Sequence, residues 1–424
     1  MKKILLALAV LASMQVANAQ VKSAADAKKA VEAAEAAASN EKKAIKTATW
    51  IKLGQEYVKA YDAPTGNIIP GSSKTELALM MGSEKPVSTE AVEIQGTPYT
   101  KEVYADKNLY FNANGQLAVI EVTKPVYADA LEKAIAAYQK AYDLDASHSK
   151  SKDIAAAFDL IGQKYNTEAY NKYTLGDLAS ASKYFEKAAE VEALAPLSKI
   201  DTTSIYNAGF TAWATKDMSK AKELFEKCYN LGYYYEGGEV FAKLADVDTL
   251  NTKKYLEEGF EKFPQSQSIL IGLINYYLKS NESTDRLFEL LDKAKANEPN
   301  NASLFYVEGN IRSQLGDTEN AVKAYRKCAE INPEYEYGFI GEGTMYYNKA
   351  IEVQLDDTKY MALVKEFEED LKACIPAFEK AFEVTKSEQV KAGVAEYLKN
   401  AYYRFRDEGA DYKAGYEKYS TYGK

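Results

Sequence analysis

Along most of the chain apolar residues return every three or four positions, the spacing that places one stripe on an α-helix, and the stripes come in pairs joined by short polar turns. The pairs recur. A small residue of the second stripe stands at Ala188, Cys228, Gly259, Ala294 and Cys328, in steps of 40, 31, 35 and 34 residues. Pro264, Pro299 and Pro333 step by 35 and 34, each where a second helix must stop because proline cannot continue it. Gly176-Asp177 and Gly316-Asp317 mark the turn inside a pair: glycine supplies the left-handed residue that ends one helix, and aspartate caps the next. Lys216 replaces that glycine before Asp217, so a less tight turn is expected there. Each pair is predicted to cover the apolar stripe of its neighbour.

Residues 62–126 depart from this pattern. Pro64, Gly66, Pro70, Gly71, Gly82, Pro86, Gly96 and Pro98 punctuate them, and β-branched and aromatic residues alternate with polar ones. Lys101 to Phe111 and Gln116 to Thr123 are predicted strands joined through Asn112-Ala113-Asn114-Gly115, where Asn-Gly supplies the positive φ of a hairpin. Ala91 to Gln95 offers a third strand and Thr75 to Met81 a helical turn. An isolated hairpin is marginal in water, so the segment is expected to pack on the first helix pair, as a flap for a partner or as a cap on the end of the stack.

Two stretches carry a family pattern. Trp50-Ile51-Lys52-Leu53-Gly54-Gln55-Glu56-Tyr57 writes W-x2-L-G-x2-Y, and Ala321-x3-Tyr325-x2-Cys328-x4-Pro333 writes A-x3-F-x2-A-x4-P with Cys in the small slot. On these letters the chain resembles the tetratricopeptide repeat proteins. The resemblance implies an all-α superhelical solenoid of about seven helical hairpins with terminal cap helices, and a concave face lined by the first helix of each pair. The letters are packing positions, here Trp50, Leu53, Gly54, Tyr57, Ala134, Ala181, Phe185, Ala221, Phe225, Ala321 and Tyr325. They bind nothing themselves. Phe305 precedes Ala321 by 16 residues whereas Trp50 precedes Ala134 by 84, so 68 residues, including the β-hairpin segment, are inserted in the first repeat. The expected division is a signal at 1–19, a cap helix at 20–46 with Ala30, Ala34 and Ala37 at helical spacing, and a first repeat at 47–146 interrupted by 62–126. Repeats two to seven follow at 147–389, and closing helices at 390–424. The seventh is lengthened by 19 residues between Phe339 and Cys374, with Pro376 expected to kink or start its last helix.

Composition narrows the function. Lys2 and Lys3, the apolar run Ile4 to Ala12 and Ala17-Asn18-Ala19 read as a cleaved secretory signal, too short to span a bilayer. Without those two lysines the net charge moves from −9 to −11, a poor match for nucleic acid or an anionic membrane. An exported, periplasmic protein is expected, with secretion or peripheral outer-membrane attachment as alternatives, and no transmembrane anchor. Cys228, Cys328 and Cys374 occupy small core slots in separate repeats and are expected as buried free thiols. His148, the single histidine, falls in a Ser- and Lys-rich connection, which leaves no His-based triad or His-rich zinc site. No metal, no cofactor and no catalytic residue is expected, and the acidic runs Asp356-Asp357 and Glu368-Glu369-Asp370 read as solvated surface.

One surplus points outward. Tyr outnumbers Phe 34 to 15, more than the core slots need, and tyrosine suits a binding face because its ring packs while its hydroxyl tolerates water. Stepping off the core slots selects a groove over repeats three to seven: Tyr206, Phe210 and Trp213; Tyr276 and Lys279; Tyr306, Asn310 and Gln314; Tyr337, Tyr347 and Asn348. This aromatic and amide surface carries one clear cation. It implies a scaffold, monomeric on its own, for an extended protein or peptide segment of low charge, serving assembly or maintenance of the cell envelope. The alternative is a glycan- or small-solute-binding protein of nutrient uptake.

Overall fold

The computed structural model describes residues 23–280, 284–354 and 357–422. The expected signal with Lys2, Lys3 and Ala17-Asn18-Ala19 lies outside them, as does Asp356 of the acidic run. The described residues form nineteen α-helices and one four-stranded sheet, in two compact units that divide between Tyr233 and Tyr234.

The first unit opens with α1 (Ala24–Ala38) and α2 (Glu41–Ala44), which lead into α3 (Thr47–Asp62). The buried stripe of α1 is Ala27, Val31, Ala34 and Ala38, so of the expected alanines Ala34 lies on it, while Ala30 and Ala37 flank it. After the insertion, α3 pairs with α5 (Ala130–Leu144). The next hairpins are α6 (Ser151–Thr174) with α7 (Leu178–Glu192), and α8 (Thr202–Ala214) with α9 (Met218–Asn230). Within the hairpins the turn chemistry is the expected one. Gly176 has φ +83° and Gly316 +77°, and the carboxylates of Asp177 and Asp317 accept the backbone N–H of Ser180 and Asn320. The turn at Lys216 is not loosened: lysine itself takes the left-handed conformation at φ +65°, and Asp217 caps Lys220.

The insertion holds α4 (Lys74–Met81), whose start is fixed by a reciprocal Ser73–Glu76 capping box. An antiparallel meander follows: β1 (Ser88–Ile94), β2 (Thr97–Val103), β3 (Lys107–Phe111) and β4 (Leu117–Val122). The strand expected over Lys101 to Phe111 is broken between Val103 and Lys107, where the chain turns back on itself and the Tyr104 N–H meets the Lys107 carbonyl at 2.8 Å. Ile68, Leu77, Tyr104, Leu109, Phe111, Leu117 and Ile120 form a small core of its own between the sheet and α4. The sheet reaches past the first repeat. β4 packs on α6 of the second repeat, and at the β1–β2 turn the Gln95 amide donates to the Tyr173 carbonyl at 2.9 Å.

The second unit begins with a short 3-10 turn at Glu236–Gly238 and continues as α10 (Glu239–Val247) with α11 (Thr252–Lys262), α12 (Gln267–Lys279) with α13 (Asp285–Asn297), and α14 (Ala302–Gln314) with α15 (Thr318–Ile331). The lengthened seventh hairpin is α16 (Glu336–Gln354) with α17 (Asp357–Val384), followed by the closing pair α18 (Glu388–Phe405) and α19 (Ala410–Ser420). The extra residues lengthen both helices of that hairpin. α17 runs through Pro376, contrary to expectation, and its irregular residue is Leu363 at φ −117°, ψ 18°. Cys374, Ile375, Ala377 and Phe378 are all buried around the proline, so tertiary packing outweighs the single backbone hydrogen bond it removes.

The packing letters sit where the repeat needs them. Leu53, Gly54, Tyr57, Ala134, Ala181, Phe185, Ala221, Phe225, Ala321 and Tyr325 are buried. Trp50 is half-buried and donates its indole N–H to the Ala44 carbonyl at 2.7 Å. Gly54 is required by close approach, since a Cβ there would stand 2.6 Å from the Tyr138 ring. Cys228, Cys328 and Cys374 are free and buried, and burial pushes each thiol up to about 12.

Candidate functional site

In the second unit the first helices of successive hairpins, α12, α14 and α16, line a groove of about 360 Å³. Its lining follows from helix geometry: with α13 and α15 covering one stripe of each first helix, positions about a third of a turn away face the open side. α12 contributes Ile271, Ile274 and Asn275; α14 contributes Tyr306, Asn310, Ser313 and Gln314; α16 contributes Ile340, Gly341, Thr344 and Met345. Tyr325 of α15 closes the floor.

The polar groups are arranged by neighbours. The Tyr325 hydroxyl donates to Asn310 Oδ1 at 2.8 Å, which leaves the Asn310 amide N–H groups to face a ligand. The Tyr306 ring is held by Tyr325, Tyr337 and Tyr335, with centroids 6.0, 5.6 and 6.3 Å away. Among the described residues no charged side chain lines the groove. Three charged residues of these helices are paired elsewhere: Glu308 with Lys295 and Arg312, each at 2.8 Å, and Glu342 with Arg326 at 2.8 Å.

The structure brings together part of the selected surface. Tyr306, Asn310 and Gln314 line the groove as expected, with Tyr337 beside them, 38% exposed. Tyr276 and Lys279 do not line it, because the open face of α12 falls on Ile271, Ile274 and Asn275, and one residue of slip turns a side chain by about 100°. Tyr276 lies edge-on to Tyr277 instead, at 5.5 Å. Tyr347 packs on Tyr397 at 5.0 Å and Phe378 at 6.5 Å, joining the seventh hairpin to α18, while Asn348 is exposed outside the groove. In the first unit Tyr206 is only 5% exposed and packs against Phe225, so it belongs to the interior of its hairpin. Phe210 and Trp213, half-buried, continue that row of rings, their centroids 5.8 Å apart.

The isoleucines, Thr344 and Met345 are not marked out in the sequence, because aliphatic residues on a helix look like core. A signal was present. Ile271, 58% exposed, follows the buried Ile269 and Leu270, so α12 carries more apolar residues than one buried stripe accommodates. Among the described residues no group of His, Cys, Asp and Glu is arranged to hold a metal ion, and no helix is long and apolar enough to cross a membrane.

Comparison with known proteins finds the same kind of repeat. The tetratricopeptide repeat family model matches residues 202–231 and 302–335, the third and sixth hairpins. A tetratricopeptide-repeat-containing protein of Methanocaldococcus jannaschii is 24% identical over 195 residues, 41% of this chain and 34% of that protein. The chain thus spans about a third of the length of that curated relative. Among solved structures, yeast Tom70 aligns with 90% of this chain and 86% of its own at 16% identity and a TM-score of 0.32. YrrB, described as a TPR protein with an unusual peptide-binding site, aligns with 59% of this chain and 96% of its own at 15% identity and a TM-score of 0.26. The repeat letters are buried at their packing positions, and by the family model the third and sixth hairpins are tetratricopeptide repeats.

Proposed function

We propose that this protein is a non-catalytic scaffold that holds an extended, weakly charged peptide segment of a partner protein in the groove of α12, α14 and α16. The carrying observation is the lining: aliphatic side chains Ile271, Ile274, Ile340 and Met345 interleaved with the amides of Asn275, Asn310 and Gln314, and no charge. Amides meet the main-chain groups of an extended peptide, and the aliphatic patches take alternate side chains. A charged segment would enter without a counter-ion and lose its hydration. The residues before Gln20 support export, and a cell-envelope partner is the reading that goes with it.

Peptide arrays and isothermal titration test the groove. The variant Ile271→Ser with Gln314→Ala changes two exposed positions, so the fold should persist while affinity falls about tenfold or more. Unchanged binding by the folded variant would move the site elsewhere, and preferential capture of oligosaccharides would favour the glycan alternative. Export is tested separately, by N-terminal sequencing of the protein recovered from the periplasmic fraction.

A further inference from the structure

In the first unit the inserted sheet closes over the repeats and leaves a cavity of about 150 Å³ between β4, the connection at 125–128, α3, α5, α6 and α7. Its lining differs in kind from the groove. Four tyrosines, Tyr61, Tyr127, Tyr165 and Tyr184, surround the carboxylates Glu121, Glu132 and Glu168 and one cation, Lys172.

The carboxylates are not equivalent. Glu121 accepts from Asn108 at 2.9 Å and from the Tyr110 hydroxyl at 2.8 Å, both on the sheet. Glu132 pairs with Lys187. Glu168 accepts only the Tyr61 hydroxyl, at 2.7 Å, and among the described residues no lysine or arginine lies within ion-pair distance of it. Burial raises its pKa above the usual carboxylate value, and Tyr61 and Lys172 do not fully offset that. Beside it the Tyr165 hydroxyl, on a residue 2% exposed, has no partner in hydrogen-bond geometry; the carboxylate it faces, Glu132, is held by Lys187. A buried polar atom without a partner is uncommon, and here it belongs to a residue lining the cavity.

We propose that this cavity binds a small primary ammonium ion, which donates N–H groups to the Glu168 carboxylate and the Tyr165 hydroxyl while its hydrocarbon part lies among the tyrosine rings. The chemistry fits both unmet needs. Glu168 lacks a cation, and the Tyr165 oxygen lacks a partner. The rings suit a cation, and they already attract lysines from outside the cavity: Lys164 stands 5.5 Å from the Tyr61 ring, Lys187 5.5 and 5.7 Å from Tyr165 and Tyr184, and Lys133 5.3 Å from Tyr127. None of those three lysines lines the cavity. A void of this size takes a guest of about six heavy atoms. The site is separate from the peptide groove and survives the failure of that reading.

The test uses the whole protein and three probes of one shape: isobutylammonium, isobutanol and isovalerate. Calorimetric titration should show the ammonium binding at least about tenfold more tightly than the alcohol, a difference of about 1.4 kcal/mol. Glu168→Gln, which keeps an acceptor for Tyr61, should erase that preference, and Tyr165→Phe should weaken ammonium binding several-fold, with far-UV circular dichroism confirming the fold of each. Equal affinity for ammonium and alcohol, tighter binding of isovalerate on Lys172, no ammonium binding at about 50 mM, or full binding by folded Glu168→Gln would each overturn the proposal. Should that variant fail to fold, the comparison of probes on the unaltered protein decides alone.

Discussion

The cavity of the first unit and the groove of the second are both built on the same kind of helix pair, yet one is more enclosed, tyrosine-rich and acidic and the other more open, aliphatic and, among the described residues, uncharged. The difference is made by one insertion. In the second unit α12, α14 and α16 present their free sides to solvent, and Glu308 and Glu342 on those helices are paired away from the groove. In the first, a sheet inserted between α3 and α5 lays β4 on α6 and pins its far turn to the end of α6 through Gln95. A repeat supplies a surface; an inserted lid turns the surface into an interior, where a carboxylate such as Glu168 is desolvated and its partner becomes selective.

The largest effect should come from removing the lid. Deleting residues 64–125 and joining the ends with a short glycine-serine linker should abolish ammonium binding and expose the tyrosines of α3, α5 and α6 to solvent. Contacts in a repeat stack run between neighbours, so peptide capture and hydrogen-exchange protection in 234–424 should persist. Loss of protection throughout the chain would show that the sheet is part of the common architecture rather than an addition to it.

Next in size is a charge placed in the open groove. Asn275 is exposed and lines it, so Asn275→Glu should leave the melting temperature nearly unchanged while lowering affinity for an uncharged peptide about tenfold. A basic variant of the peptide should recover part of the loss. If the substitution leaves binding of every peptide unaltered, the groove is not the contact surface and the contrast with the cavity loses one side.

The shared chassis can be tested through Gly54, whose partner helix brings the Tyr138 ring to where a Cβ would be. Gly54→Ala should destabilise the first unit by about 1–3 kcal/mol, because the buried ring has no room to retreat. Thermal unfolding followed by near-ultraviolet circular dichroism reports it, and a shift confined to one of two transitions would show that the units unfold separately.

Much of this chassis was legible in the sequence, because helix period, proline stops and glycine-aspartate turns are local signals. The buried letters from Leu53 to Tyr325 and the inserted strands followed from them. The sites were legible only in part. Tyr306, Asn310 and Gln314 follow from counting along α14, but on α12 the equivalent positions, 35 residues earlier, are Ile271 and Asn275, and neither carries the ring that marked Tyr276. Tyr206 and Tyr347 were misplaced for another reason: tyrosine packs between repeats as readily as it faces a partner. The cavity could not be read at all, since it exists only where β4 meets α6, and no local pattern states that contact.

The smallest expected effect concerns the one turn whose chemistry departs from its counterparts. Gly176 and Gly316 take the left-handed conformation without strain, whereas Lys216 takes it with a side chain, which places its Cβ close to the carbonyl that follows. The aspartate after each caps the following helix, so the turns at 176 and 216 are matched in their cap and differ at the left-handed residue. Lys216→Gly should therefore raise the stability of the first unit by about 0.5–1 kcal/mol, the relief at a left-handed residue less the extra freedom glycine has when unfolded. A rise of a few degrees or less in the first unit's melting temperature, with no change in either ligand's affinity, is the expected outcome. A fall would mean that the lysine chain, which is exposed in this structure, holds the third hairpin by a contact that outweighs its backbone strain.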